Sequence, residues 1–271
     1  MANASHPLCQ PWSALSPSTA SRSPAGSPPR SVHSAFYRGL FGWETSDVGG
    51  GRTVLTKEGQ PVAGLAEAAG SQTGPPSWTT YLATSDIDQG LSRIEAEGGA
   101  VLQPAGDGWE ARTALARDAS GAVFELWQSG DRPGMALWEE FGALMWSENF
   151  TPDVEQAKQF YAAVFGLRYA DPFPWHFGDP ATAMGTYTMF ATTGDGVDQS
   201  NAVGSLGQLD PHDPVGQPHW MPCFATSDVT TTSETAEHLG GRVLSGPYDT
   251  RSKPSPMPCA SRRLPSGSGS A

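Results

Sequence analysis

Residues 34–47 read SAFYRGLFGWETSD and residues 158–171 read KQFYAAVFGLRYAD, so the phrase FYxxxFG is written twice, 124 residues apart. A second pair, WTTYLATSD (78–86) and WMPCFATSD (220–228), lies 142 apart, and the same offset carries EGGAVL (97–102) onto LGGRVL (239–244). One half of the chain copies the other, and long internal repeats restrict the fold more than any local propensity does. The growth of the offset from 124 to 142 places an insertion in the second half. It falls within DPFPWHFGDPATAMG and GDGVDQSNAVGSLGQLDPHDP, where loops absorb extra residues.

Each repeated phrase has a readable local structure. Around the first, Ser27 and Pro28 offer an N-cap and a first-turn proline, Val32, Phe36 and Leu40 recur at helical spacing, and Gly42 follows as a stop. The copy starts at Thr151 and Pro152, carries the stripe Val154, Ala157, Tyr161 and Val164, and stops at Gly166. The repeated aromatics are thus read as helix core. WTTYLAT reads as a strand, Ser85 or Asp86 caps a helix lined by Ile87, Leu91 and Ile94, Gly98 ends it, and AVLQP resumes as a strand. TALARD and AVFELWQ, separated by DASG, complete β-α-β-β-β as two antiparallel strands. GALMWSENF, the second FY helix, GTYTMFAT and NAVGSL follow the same order, and four such units are implied.

This combination resembles the vicinal oxygen chelate superfamily of glyoxalase I, bleomycin-resistance proteins and extradiol dioxygenases. It carries paired βαβββ units, a TPD-led FY helix, a capped helix running into EAEGG and an ending GAVFELWQ. It is most similar to tandem two-domain glyoxalase-like proteins often labelled hydroxylases. The resemblance implies an α+β fold, with tandem domains built from paired βαβββ units that form cup-shaped mixed sheets. The divisions expected are a disordered Ser/Pro-rich segment at 1–26, a first domain at 27–130, a linker at 131–141, a second domain at 142–250 and a disordered tail at 251–271.

The repeat also shows what is altered at the ends. A partner for GALMWSENF is expected near residue 26, where the chain reads STASRSPAG, and Trp12 to Leu15 is the nearest substitute through a longer loop. At the other end, the 142 offset carries TALARDASGAVFELWQ onto SPMPCASRRLPSGSGSA, which has no alternation. The last strands of the second domain are therefore expected to be missing, and a reading-frame change in the coding sequence would explain such an abrupt transition.

In metal-using relatives the ligands come from the first strand, from the strand opening the second unit and from the last strand. Glu125 stands at the last-strand position of the first half, so the resemblance makes it the candidate catalytic residue and metal ligand. The other positions do not match. Thr79 and Met221 stand at the second-unit strands, and Trp146 at the first strand of the second half, with Glu148 next on its face. A divalent metal is therefore compatible with the resemblance, but its ligand set is incomplete. Candidate substrate-binding residues are Thr79, Tyr81, Trp146, Glu148, the aromatic insertion residues Trp175 and His176, and His219, which shares a strand face with Met221 and Cys223. The blander readings are a hydrogen-bonded Glu125 with no ion, a surface His219 and an insertion loop that only buttresses the domain. Two functions stay open: a lyase, hydroxylase or dioxygenase-type enzyme, or a non-catalytic protein that sequesters a drug-like molecule.

Composition narrows the partners. The formal charge of −12 opposes binding to a phosphate backbone, so nucleic acid is not expected. No apolar run reaches the roughly 18 residues of a membrane span. Cys9, Cys223 and Cys259 are an odd, scattered set without CxxC, which fits a reducing, cytoplasmic setting. A monomer of two domains or a homodimer is expected, with a small molecule as its partner.

Overall fold

The computed structural model describes residues 13–16, 30–49, 52–66, 77–108, 111–130, 135, 137–175, 185–192, 194 and 196–244. The expected disorder at 1–26, apart from Ser13–Ser16, and at 251–271 lies outside them, as do Ser27, Pro28 and His176.

The first half runs β1 (Ser13–Ser16), α1 (Arg30–Phe41), β2 (Glu44–Gly49), β3 (Arg52–Lys57), β4 (Gln60–Ala66), β5 (Ser77–Ala83), α2 (Ile87–Ala96), β6 (Ala100–Gly108), β7 (Ala111–Arg117) and β8 (Val123–Ser129). These eight strands form one sheet in the order β2-β3-β4-β1-β5-β8-β7-β6. Two βαβββ units are thus joined at the antiparallel β1/β5 seam. The leading strand expected near residue 26 lies further upstream, at Ser13–Ser16, and pairs in parallel with β4 and antiparallel with β5. It includes three of the four residues singled out as the substitute.

The second half runs β9 (Leu144–Thr151), α3 (Val154–Phe165), β10 (Arg168–Tyr169), β11 (Phe173–Trp175), β12 (Gly185–Ala191), β13 (Gly204–Gln208), β14 (His219–Phe224) and α4 (Val229–His238). Its sheet has the order β10-β12-β13-β9-β14, with β11 paired to β12. Among the described residues β14 has β9 as its only strand neighbour, whereas its repeat counterpart β5 lies between β1 and β8.

Three local expectations are corrected. Helix α3 is capped by Asp153, whose side chain accepts from the Gln156 N–H, while Thr151 closes β9. A carboxylate at that position satisfies an otherwise orphaned amide, which Pro152 cannot do. Strand β13 starts at Gly204 rather than at Asn201, because Asn201 is held in the preceding turn by a bond to the Gly196 carbonyl. The insertion DPFPWHFGDP, read as a loop, contains β11, whose Phe173 lies opposite Tyr187 with ring centroids 5.3 Å apart. The other helix boundaries follow the expected chemistry: Asp86 caps α2, and Gly42 and Gly166 follow α1 and α3 at φ of 72° and 69°.

The main core lies where the two halves meet. Leu82, Ile87, Ile94, Ala114, Phe124 and Leu126 of the first half form one cluster with Val154, Phe160, Tyr161, Phe190, Leu206 and Trp220 of the second. A polar group joins the halves inside it. Asp118, in the β7–β8 turn, accepts from three backbone amides through Oδ1, and its Oδ2 accepts from the Tyr161 hydroxyl at 2.8 Å. That hydroxyl in turn accepts from the Trp220 indole at 2.8 Å. Burial and the Asp118 carboxylate hold the Tyr161 phenol well above its ordinary range.

Candidate functional site

Side chains alternate across a strand, so each sheet has a helix-covered face and an inner face. In the first sheet, Leu82, Phe124, Leu126, Ala114 and Ala116 face the helices. The alternate residues define the inner face. Tyr81 lies opposite Glu125, Glu125 opposite Leu115, and Trp127 opposite Thr113. Thr79 shares the face of Tyr81, and the register through Ala14 and Gly64 carries that face on to Val54, with Arg52 two residues along. Rigid aromatics and one carboxyl therefore occupy a common surface built wholly from strands.

Glu125 is the chemical centre of this face. It remains half-buried, with part of its surface open, while protein surrounds its carboxyl and pushes its pKa up from 4.5 to about 7. Desolvation is the leading cause, opposed by a hydrogen bond from the Tyr81 hydroxyl and by the positive charge of Arg52. Such a group can gain or lose a proton near neutrality, as general acid–base chemistry requires. Tyr81 is buried and stands edge-on to Trp127, with centroids 5.9 Å apart.

The second inner face is built differently. Glu148 is 4% exposed and accepts from the Tyr187 hydroxyl at 2.6 Å. Ser205 donates to that hydroxyl, and the Trp146 indole donates to Ser205 at 3.0 Å. Burial raises the Glu148 pKa, opposed by hydrogen bonds from Tyr187, Cys223 and Ser205. This carboxyl is closed in by its own protein partners. Glu125 keeps more of its surface exposed than Glu148 does.

The expected site residues thus separate into two groups. Glu125, Tyr81 and Thr79 come together on the first inner face. Trp146 and Glu148 come together on the second, with Met221 directly opposite Glu148. His219 lies two residues further along, opposite Phe150, and its Nδ1 is 2.8 Å from the Gln217 carbonyl. It is not among the groups that shift Glu148. Trp175 ends β11, and His176 lies outside the described residues. Four participants were not singled out from the sequence: Arg52, Trp127, Tyr187 and Ser205. Their signal was strand alternation within RTVLTK, VFELWQS, GTYTMFA and GSLGQ.

A divalent metal does not fit these residues. Among the described residues no three His, Cys, Asp or Glu side chains gather as a metal-binding group. The groups acting on Glu125 are a phenol and a guanidinium, and the strand positions that would complete a ligand set carry Thr79, Met221 and Trp146. None of these supplies the imidazole or carboxylate donors that hard and borderline cations select.

Comparison with known proteins gives a consistent picture. The model of the Glyoxalase/Bleomycin resistance protein/Dioxygenase superfamily matches residues 27–126 and again 146–254. CFP32 of Mycobacterium tuberculosis (strain CDC 1551 / Oshkosh), which carries a glyoxylase name, is 33% identical over 228 residues, covering 81% of this chain and 82% of its own. The anthracycline biosynthesis protein DnrV of Streptomyces peucetius is 32% identical over 250 residues, covering 83% of each. Among solved structures, the 2,2',3-trihydroxybiphenyl 1,2-dioxygenase of Sphingomonas wittichii strain RW1 matches with a TM-score of 0.53 at 14% identity, over 86% of this chain and 79% of that one. At that identity the likeness concerns the fold.

Proposed function

Because the chain belongs to the glyoxalase/bleomycin resistance protein/dioxygenase superfamily, whose members bind small-molecule substrates, we propose that its first cup binds a small planar molecule bearing a carbonyl or quinone oxygen. Glu125, protonated on the acidic side of about 7, donates a hydrogen bond to that oxygen. Tyr81 and Arg52 hold the carboxyl in place, and Trp127, Leu115 and Val54 make the same inner face apolar. The single observation that carries this reading is the placement of Glu125 opposite Tyr81 on an aromatic inner face, where burial raises its pKa to about 7 while the residue keeps part of its surface exposed. The similarity to an anthracycline biosynthesis protein agrees with a planar, oxygenated ligand.

Two uses of such a site differ in outcome. As an enzyme, the protein releases the ligand chemically altered. As a sequestering protein, it keeps the ligand unchanged. The second is supported by the donor chemistry, since Thr79 beside Glu125 offers no imidazole or carboxylate with which to hold a Lewis acid against the oxygen. Calorimetric titration with quinizarin, a dihydroxyanthraquinone, tests binding, and mass spectrometry of the recovered ligand tests turnover. Wild-type protein is expected to bind and return it intact, and Glu125→Gln to bind at least about tenfold more weakly, the amide losing the acid's stronger hydrogen bond. Equal affinity in both proteins would remove Glu125 from the site, and a changed mass would establish an enzyme.

A further inference from the structure

The first inner face does not end at its own sheet. Val54, Tyr81, Ala111 and Trp127 form one apolar cluster with Met135 and Leu144, and Trp138 and Phe224 pack against it. Every first-sheet member of that cluster lies on the face that carries Glu125. Its remaining members come from the segment between the two sheets and from the second half. Met135 is 4% exposed and Leu144 is fully buried, so these side chains lie against the cup and do not project into solvent.

The segment is also fixed at its far end. The Gly142 carbonyl accepts from the Trp43 indole of the first half at 2.6 Å, and the Gly142 amide donates to the Ala225 carbonyl of the second at 2.8 Å. The Ala225 amide returns a bond to Ala143 at 2.9 Å, and the Glu139 amide bonds the Leu144 carbonyl at 3.1 Å. Gly142 holds a φ of 70° with the Phe41 side chain and carbonyl crowding the position of a Cβ, so the turn is committed to glycine.

Resting on the reading of the first cup as the ligand site, we propose that Met135 and Trp138 form its specificity-determining wall, setting how large a ring system can lie beside Glu125. The second half then serves the first cup by anchoring that wall. Met135 is suited to the task because an unbranched thioether fills irregular space and yields to ligands of different outline. Trp138 supplies a rigid plane behind it. The ligand class follows from the wall. The larger the ring system placed beside Glu125, the further the Met135 side chain must move aside.

The test compares two carbonyl probes, acetophenone with one ring and quinizarin with three, by calorimetric titration of the full chain. Met135→Ala is expected to raise the affinity for quinizarin relative to acetophenone by at least about tenfold, the scale of a pocket change of one or a few methylenes. Met135→Phe is expected to shift the ratio the other way, and Met135→Leu, which conserves volume, to leave it near wild type. Glu125→Gln should weaken both probes by a similar factor and leave their ratio alone. Cooperative thermal unfolding of each variant establishes that it is folded. Unchanged ratios in both Met135→Ala and Met135→Phe, with both probes weakened by Glu125→Gln, would overturn the wall and leave the site reading intact. Affinities untouched by Glu125→Gln would overturn the site reading, and the wall with it.

Discussion

At the residue scale, the repeated Tyr and Trp have a use beyond filling a core. Tyr37 and Trp78 of the first half lie with centroids 5.3 Å apart at 71°, and their copies Tyr161 and Trp220 lie 5.4 Å apart at 86°. In each pair the indole hydrogen-bonds the phenol, and burial pushes the Tyr37 pKa up to about 12. The FY phrase and the WxxxxATSD phrase are thus two ends of one contact written twice. The second copy joins the halves through a hydrogen bond, because Tyr161 also donates to Asp118, while the first meets the second half by packing, with Trp78 and Phe224 ring centroids 5.0 Å apart. Tyr161→Phe is expected to lower stability by about 1–3 kcal/mol, since it strips partners from buried polar groups. Tyr37→Phe should cost less, and chemical denaturation of the two variants measures the difference. Glu125 adds a pH dependence. Its ordinary pKa of 4.5 rises to about 7 in the folded protein, so the folded state binds the extra proton between those values. Its stability contribution is full below about 4.5 and is lost as pH rises through about 7. Glu148 acts in the same direction. Urea midpoints of Glu125→Gln should therefore fall less steeply than wild type across that window.

At the element scale, caps and stripes were legible because they are short-range. Asp86, Gly42 and Gly166 stand where spacing placed them, and Ile87 and Ile94 turn to the core as the helical period requires. Misplaced elements had long-range causes. Strand β1 owes its existence to β4 and β5 on either side, and SALS alone has little strand character. Strand β11 forms because Phe173 finds Tyr187 on β12, which no local pattern reveals. Gly166→Ala should destabilise by about 1 kcal/mol, since α3 ends there in the left-handed region. Helix α4 is packed more loosely than its counterpart. Its counterpart α2 buries Ile87, Gly90 and Ile94, while α4 buries none of its residues. Amide hydrogen exchange should be faster in α4 than in α2, and equal protection would mean that α4 is covered by contacts beyond those described.

At the scale of the whole molecule, two copies of one plan carry different duties. The first sheet has eight strands and carries the partly exposed Glu125, and the second encloses Glu148 with Tyr187, Ser205 and Cys223. Sequence reasoning found both carboxylates through family position and strand face, and it recognised that Thr79, Met221 and Trp146 leave the metal set incomplete. Arg52 was passed over although the alternation of RTVLTK carries it, whereas the packing of Met135 and Trp138 against the first cup depends on how separate segments come together. The shared core argues that the halves unfold together, and differential scanning calorimetry is expected to give one cooperative transition. Two independent transitions would show that the Asp118–Tyr161 bond and its surrounding cluster do not couple them.

The central claim is that Glu125 is the proton-exchanging group of a ligand site, and its own titration tests this most directly. Carboxyl-carbon NMR of selectively labelled glutamate, assigned by Glu125→Gln, should give a midpoint near 7 for Glu125 in the free protein. Saturation with quinizarin should move that midpoint upward, because the bound oxygen accepts from the neutral acid and the ring removes remaining water. A midpoint in the ordinary carboxylate range, or one that saturating ligand leaves unmoved, would contradict the account.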